Sequence, residues 1–280
     1  MVLLAALTQQ SDLEARLRGP IAASGAEVAL AYRTLDGSAE LLIDADKPFH
    51  AASTMKVPVM IELFRRARAG TLSLDDRLPI VNEFHSIVDG SPFRLSEGDD
   101  SDREVYAAVG KTMTLRHLCE LMITVSSNFA ANLLIEKLGA EHIRKTVATL
   151  GADGMQVLRG VEDQKAFDKG LNNTTTARGL LVLLDKIAHG QAVDRAADDE
   201  MLAILERQHF SDAIPGGLPP GTVVAHKTGT ITRIHHDAAI VYASRPYVLV
   251  VLVRGLDDQK KAAALIAEIS KIVFEATAAR

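Results

Sequence analysis

Ser53 and Lys56 stand three residues apart in Ala51-Ala52-Ser53-Thr54-Met55-Lys56, just where a strongly apolar helical pattern begins. At that spacing on a helix the hydroxyl and the amine share a face. A serine hydroxyl attacks well only when a neighbouring base takes its proton, and a lysine amine can do so once burial or nearby positive charge lowers its pKa. The helix start adds backbone N–H groups that favour developing negative charge. Alone, the pair reads as a serine cap followed by a surface lysine.

Two further clusters carry chemistry. Ser126-Ser127-Asn128 lies between two helical runs; Ser126 can relay a proton to a leaving nitrogen, and the Asn128 amide offers both a donor and an acceptor to a substrate amide. By itself this cluster is a helix cap. His226-Lys227-Thr228-Gly229-Thr230 falls in and just after a predicted strand. Alternation puts Lys227 and Gly229 on one face and Thr228 and Thr230 on the other, and Gly229 lets a substrate backbone approach closely. The Thr230 N–H, with that of Ser53, can hold an oxyanion, while Lys227 supplies a positive charge for a substrate carboxylate.

The elements that must position these residues follow from periodicity. Glu27–Arg33 and Ala39–Ile43 read as strands joined by an Asp36-Gly37 hairpin turn. Val223–Ala225, Ala238–Ala243 and Tyr247–Val253 read as three more, the last almost wholly apolar and so central in its sheet. Helical patterns run over Thr54–Ala69, Thr114–Val125, Asn128–Leu138, Glu141–Leu150, Thr176–His189, Asp198–Gln208 and Gln259–Ala276, with Gly70, Gly139, Gly151 and Gly190 as stops. The expected fold is α/β of the α+β type: a five-stranded antiparallel sheet built from both chain ends and flanked by helices, with an inserted all-helical lobe. The sheet subdomain covers about 1–50 plus 211–280 and the helical one about 51–210, within one domain over 1–280. A cleft between them follows.

Composition excludes several classes. A net charge of −5, no Trp and only 4 Tyr leave no basic, aromatic-lined surface for nucleic acid. No apolar run approaches the ~18 residues that span a bilayer. Met1–Leu7 reads as a trimmed export signal or an ordinary N-terminus. Glu97–Asp102 reads as a solvated acidic loop, because calcium-ligand spacing is missing. His235-His236-Asp237 suggests a serine–histidine–aspartate hydrolase, but no Gly-x-Ser-x-Gly elbow exists and adjacent strand residues face opposite ways, which also argues against a metal pair. Near the cleft these histidines are expected to be hydrogen-bonded rather than catalytic.

Taken together and in this order, Ser-x-x-Lys, Ser-Ser-Asn and Lys-Thr-Gly resemble the signature of the class A β-lactamases and penicillin-binding proteins. The resemblance runs from about Gln10 to the C-terminus; Leu115–Leu134 is similar to the family's helix pair and Thr174-Thr175-Thr176 to the end of its Ω-loop. It implies that Ser53 attacks a β-lactam carbonyl, Lys56 assists, Ser126 protonates the ring nitrogen, and Lys227, Thr228 and Thr230 grip the carboxylate. The Ω-loop glutamate that activates the deacylating water is matched by Glu162, although the Leu and Asn that should follow it are absent. Asn172 and Asn173 stand where relatives carry an aspartate that ties the loop to an arginine, and Ser127 replaces the usual Asp. Cys119 has Met60 opposite it rather than a second cysteine, so it is expected in the core. The resemblance implies a serine hydrolase acting on small-molecule β-lactams, exported to the periplasm or secreted, monomeric, and needing neither metal nor organic cofactor. The alternatives are a D,D-peptidase or esterase using the same serine, or a penicillin-binding sensor that stays acylated.

Overall fold

The computed structural model describes residues 2–278, with side chains from residue 11 onward; the side chains of Met1–Leu7, read above as a trimmed signal or ordinary N-terminus, lie outside them. The chain opens with a helix, α1 (Val2–Ser24), that periodicity had not revealed. Strands β1 (Glu27–Thr34) and β2 (Glu40–Ile43) follow, and β3 (Val223–Ile231), β4 (Ile234–Tyr242) and β5 (Tyr247–Arg254) come near the other end. They form one antiparallel sheet in the order β2-β1-β5-β4-β3, the expected architecture.

Strand β5 is central because both its faces are covered. Val248, Val250 and Leu252 face one core and Leu249, Val251 and Val253 the other, following the two-residue period of a strand. The first core is closed by α2 (Lys56–Arg68), α3 (Leu115–Thr124), α4 (Asn128–Leu138), α5 (Ala140–Thr149), α6 (Ala177–Ala188) and α7 (Arg195–Leu205). The second is closed by α1, through Leu13 and Leu17, and by α8 (Gln259–Ala278), through Ile266, Ile269 and Val273. Cys119 is fully buried in the first core, as is Met60, and burial pushes its thiol pKa up, so it behaves as a small apolar residue.

Caps fix where helices start. The side-chain oxygens of Ser127, Thr176 and Asp194 accept from the backbone N–H three residues on, in each case an orphan donor of the first turn. At the other ends Gly139, with φ +80°, terminates α4 in a conformation that side-chain-bearing residues avoid, and Gly70, Gly151 and Gly190 act likewise.

Two boundaries differ from the pattern and both matter. Ser53 does not lie in α2 but in a 3-10 turn, Ala52–Met55, ahead of it. Strand β3 continues past Ala225 to Ile231, so His226 to Thr230 are all extended. Their polar character hid this; Lys227 is nevertheless completely buried.

Candidate active site

Three separate elements converge on one hydroxyl. The 3-10 turn delivers Ser53 and, at its end, Lys56; the turn between α3 and α4 delivers Ser126; edge strand β3 delivers Lys227. Lys56 Nζ donates to Ser126 O at 2.6 Å, to Ser126 Oγ at 3.2 Å and to Asn128 Oδ1 at 2.9 Å. Lys227 Nζ donates to the same Ser126 Oγ at 3.0 Å and to Thr228 O at 2.9 Å. Both lysines are fully buried. Burial disfavours their charge: the Lys56 pKa is lowered to about 7, with Asp100 and Glu162 opposing the drop. That of Lys227 also falls well below its usual value, through burial and then through repulsion from Lys56.

Strand β3 packs directly on the serine turn. A Cβ at Gly229 would lie 3.1 Å from the backbone nitrogens of both Ser53 and Thr54. A side chain there would press on the protein's own backbone, so the absence of a Cβ at Gly229 is what lets strand and serine turn pack this closely. Because β3 is the sheet edge, alternate N–H groups of the Thr228–Thr230 stretch are not used by the sheet.

Two cavities meet at Ser53, and Asn128 and Thr230 line both. One, of about 330 Å³, is bordered by Ser126, Thr228, Asp212 and His235. The other, of about 260 Å³, is bordered by Glu162, Arg159 and Phe167. Glu162 Oε1 lies 3.5 Å from Asn128 Nδ2, at the long limit of a hydrogen bond. Burial raises the Glu162 pKa, and the carboxylates of Asp99 and Asp100 add to the rise, while Arg159 and Lys56 oppose it.

The segment carrying Glu162 is held by Asp163, which accepts the Ile87 and Ala166 N–H groups, and by an arginine tied to neutral acceptors. Arg159 donates to Leu171 O, Gly160 O and Asn172 Oδ1, not to Glu162. The Asn173 carboxamide accepts from the Leu158 and Arg159 N–H groups and donates to Arg159 O. Asn132, nearly buried, brackets Val161 by accepting from its N–H at 2.6 Å and donating to its carbonyl at 3.0 Å. A Cβ on Gly160 would come 2.5 Å from Asn132 Oδ1. Gly160→Ala is therefore expected to displace the loop and lower stability by about 1–3 kcal/mol, the usual cost of overpacking; urea unfolding measures it, and an unchanged midpoint would show that Asn132 can yield.

Backbone strain gathers here. Among described non-glycine residues with positive φ are Ala52 (+45°), Ser126 (+61°) and Glu162 (+63°), each costing on the order of 1–3 kcal/mol unless its surroundings hold it.

Several surroundings differ from the sequence reading. The acidic loop is only partly solvated, since Asp100 and Asp102 are 8% and 6% exposed. They receive backbone and side-chain donors around the start of α4, partners some 25 residues away that no local pattern could reveal. The histidines do alternate. His236 is neutral in its hydrogen bonding, accepting from Val253 N–H at Nδ1 and donating to His50 O from Nε2, and burial lowers its pKa to about 4. His235 Nδ1 lies 3.0 Å from Thr230 Oγ1, but its buried Nε2 has no partner, so it is only half satisfied. His226 and Asp237 pair at 3.0 Å in the interior, with Asp237 also accepting from Ile214 N–H. Among the described residues no cluster of His, Cys, Asp or Glu has a metal-binding arrangement, and no helix is long and apolar enough to cross a membrane.

Comparison with known proteins places the fold and the family. A β-lactamase from Bacteroides uniformis is 25% identical over 283 residues, covering 96% of this chain and 92% of that protein. The crystal structure of a β-lactamase from Sphaerobacter thermophilus superposes with a TM-score of 0.82 at 25% identity, covering 96% of this chain and 98% of that one. A mutant of PBP-A, solved as its acyl-enzyme complex with penicillin G, gives a TM-score of 0.79 at 28% identity, covering 97% and 96%. The profile of the β-lactamase enzyme family matches residues 12–277, and the chain belongs to that family.

Proposed function

We propose that the protein is a class A-like serine β-lactamase that opens the β-lactam amide through an acyl-enzyme on Ser53. The observation that carries the reading is the meeting of both buried lysines on Ser126 Oγ, which joins all three clusters into one proton path. Near neutral pH a large fraction of Lys56 is uncharged and able to take the Ser53 proton as Ser53 Oγ attacks the lactam carbonyl carbon. The N–H groups of Ser53 and Thr230 receive the oxyanion. Ser126, between the two amines, passes a proton to the ring nitrogen as the carbon–nitrogen bond breaks. Lys227, Thr228 and Thr230 hold the substrate carboxylate. Asn128 holds the substrate amide. Glu162 then takes a proton from water, which attacks the ester carbonyl; Ser53 leaves with that proton, and the product carries one added water.

The reading carries with it a monomeric protein outside the cytoplasm and a role in β-lactam resistance or breakdown. The test is to mix the purified protein with penicillin G and with a cephalosporin and to follow intact mass and substrate together. Substrate loss with no lasting adduct is the expected result. An adduct that persists on Ser53 would indicate instead a penicillin-binding peptidase or sensor, a reading that the PBP-A acyl-enzyme neighbour keeps relevant. No adduct and no substrate loss would sink both.

A further inference from the structure

Asp100 has no part in the proton path above, yet it is the most heavily bonded carboxylate at the cleft. Its two oxygens accept the Asn128 N–H, each at 3.0 Å, and Oδ2 also accepts the Phe129 N–H at 2.9 Å and the Tyr106 hydroxyl at 3.4 Å. These N–H groups belong to the first turn of α4, whose positive end favours an anion. Two residues before Asn128 the chain passes through the left-handed conformation of Ser126, with Ser127 between. Asp102 supports the same turn from the side, accepting from Ser127 Oγ at 3.2 Å and from the N–H groups of Glu104 and Val105. The turn itself contains no acid, because Ser127 occupies its middle position.

We propose that Asp100 is a positioning residue for the reaction: as an anionic anchor on the first turn of α4 it holds Ser126 and Asn128 in register with Lys56. The charged and titratable groups facing this arrangement are Lys56 from the serine turn, Lys227 from β3, Glu162 from its loop, Tyr106 from the short helix Glu104–Ala107, and Asp99 and Asp102 from Asp100's own loop. Asp100 favours the protonated form of both Lys56 and Glu162, and on Lys56 the carboxylates that act are Asp100 and Glu162, not Asp102. Neutralising Asp100 thus lowers both pKa values, and the acid limb of reactivity moves to lower pH. A purely structural anchor would leave the limb where it is.

The inference rests on the proposed function, and a probe that needs no β-lactam separates the two. The rate of Ser53 labelling by a fluorophosphonate is measured against pH in wild type, Asp100→Asn, Asp100→Glu and Asp102→Asn. For Asp100→Asn the expected result is a limb displaced downward by about half a pH unit or more, with a plateau about tenfold lower from lost positioning. Asp100→Glu keeps the charge and should keep the wild-type limb, and Asp102→Asn should lower the melting temperature without moving it. If Asp100→Asn does not fold, Asp100→Ser, which retains a capping oxygen, carries the same test. A limb at the wild-type pH in the folded neutral variant overturns the inference. Failure of wild type to react with penicillin G while the fluorophosphonate limb still shifts would remove the β-lactamase reading and leave Asp100's role standing.

Discussion

In Glu162→Gln, penicillin G is expected to stay attached to Ser53, with deacylation slowed by about 10²–10⁴-fold, the range general-base catalysis usually supplies, and acylation little changed. Glutamine keeps the size and the hydrogen-bonding reach toward Asn128 Nδ2 but cannot take a proton from water. The raised pKa of Glu162 makes it a stronger base than an exposed glutamate, and the same shift means that it is protonated, and idle, at pH values where ordinary carboxylates still work. Wild-type deacylation should therefore fall on acidification earlier than the usual carboxylate range implies. Rapid mixing followed by intact mass resolves both points. A Glu162→Gln variant that turns over like wild type would remove Glu162 from the mechanism, and the missing Leu and Asn after it would then be the informative departure.

Lys56→Met should slow the first step instead, by at least about a hundredfold, and Lys56→Arg should do little better because a guanidinium does not give up its proton. The wild-type acylation rate is expected to rise through pH 7, since the pKa of Lys56 is lowered to about 7 and only the neutral amine can serve as base. Protonation below that pH removes the base while leaving the fold intact, so the loss should reverse on returning to neutral pH. Stopped-flow acylation between pH 5 and 9 shows the limb directly. A flat profile across that range would assign the base to another group.

The parts of the site carried by short-range pattern were legible before any coordinates. Ser53 to Lys56, Ser126 to Asn128 and Lys227 to Thr230 are each local strings, and their helix, turn and strand settings follow from flanking periodicity. The neutral tie of Arg159 was foreseeable only as a departure, because Asn172 and Asn173 stand in place of an acid. What the sequence hid is contact at long range. The burial of Asp100 depends on N–H groups of Asn128 and Phe129, and the tightness at Gly229 on a turn more than 170 residues away. Strand β3 looked short because His226, Lys227 and Thr228 break the apolar alternation, although all three are buried. Helix α1 gave little sign because its one apolar row, Leu13, Leu17 and Ile21, is short and Pro20 interrupts it.

The order of the sheet also sets when the protein can come into being on the ribosome. Strand β1 is made early, but its neighbour β5 spans Tyr247–Arg254, so their pairing closes a loop of more than 200 residues. Pairings so distant are slow to form. Until the last strands emerge, the apolar helices have no sheet to cover, and Ser53 and Lys56 wait without Lys227. Every nascent chain that ends before these strands is thus devoid of the assembled site, and its apolar surface stays uncovered through that interval.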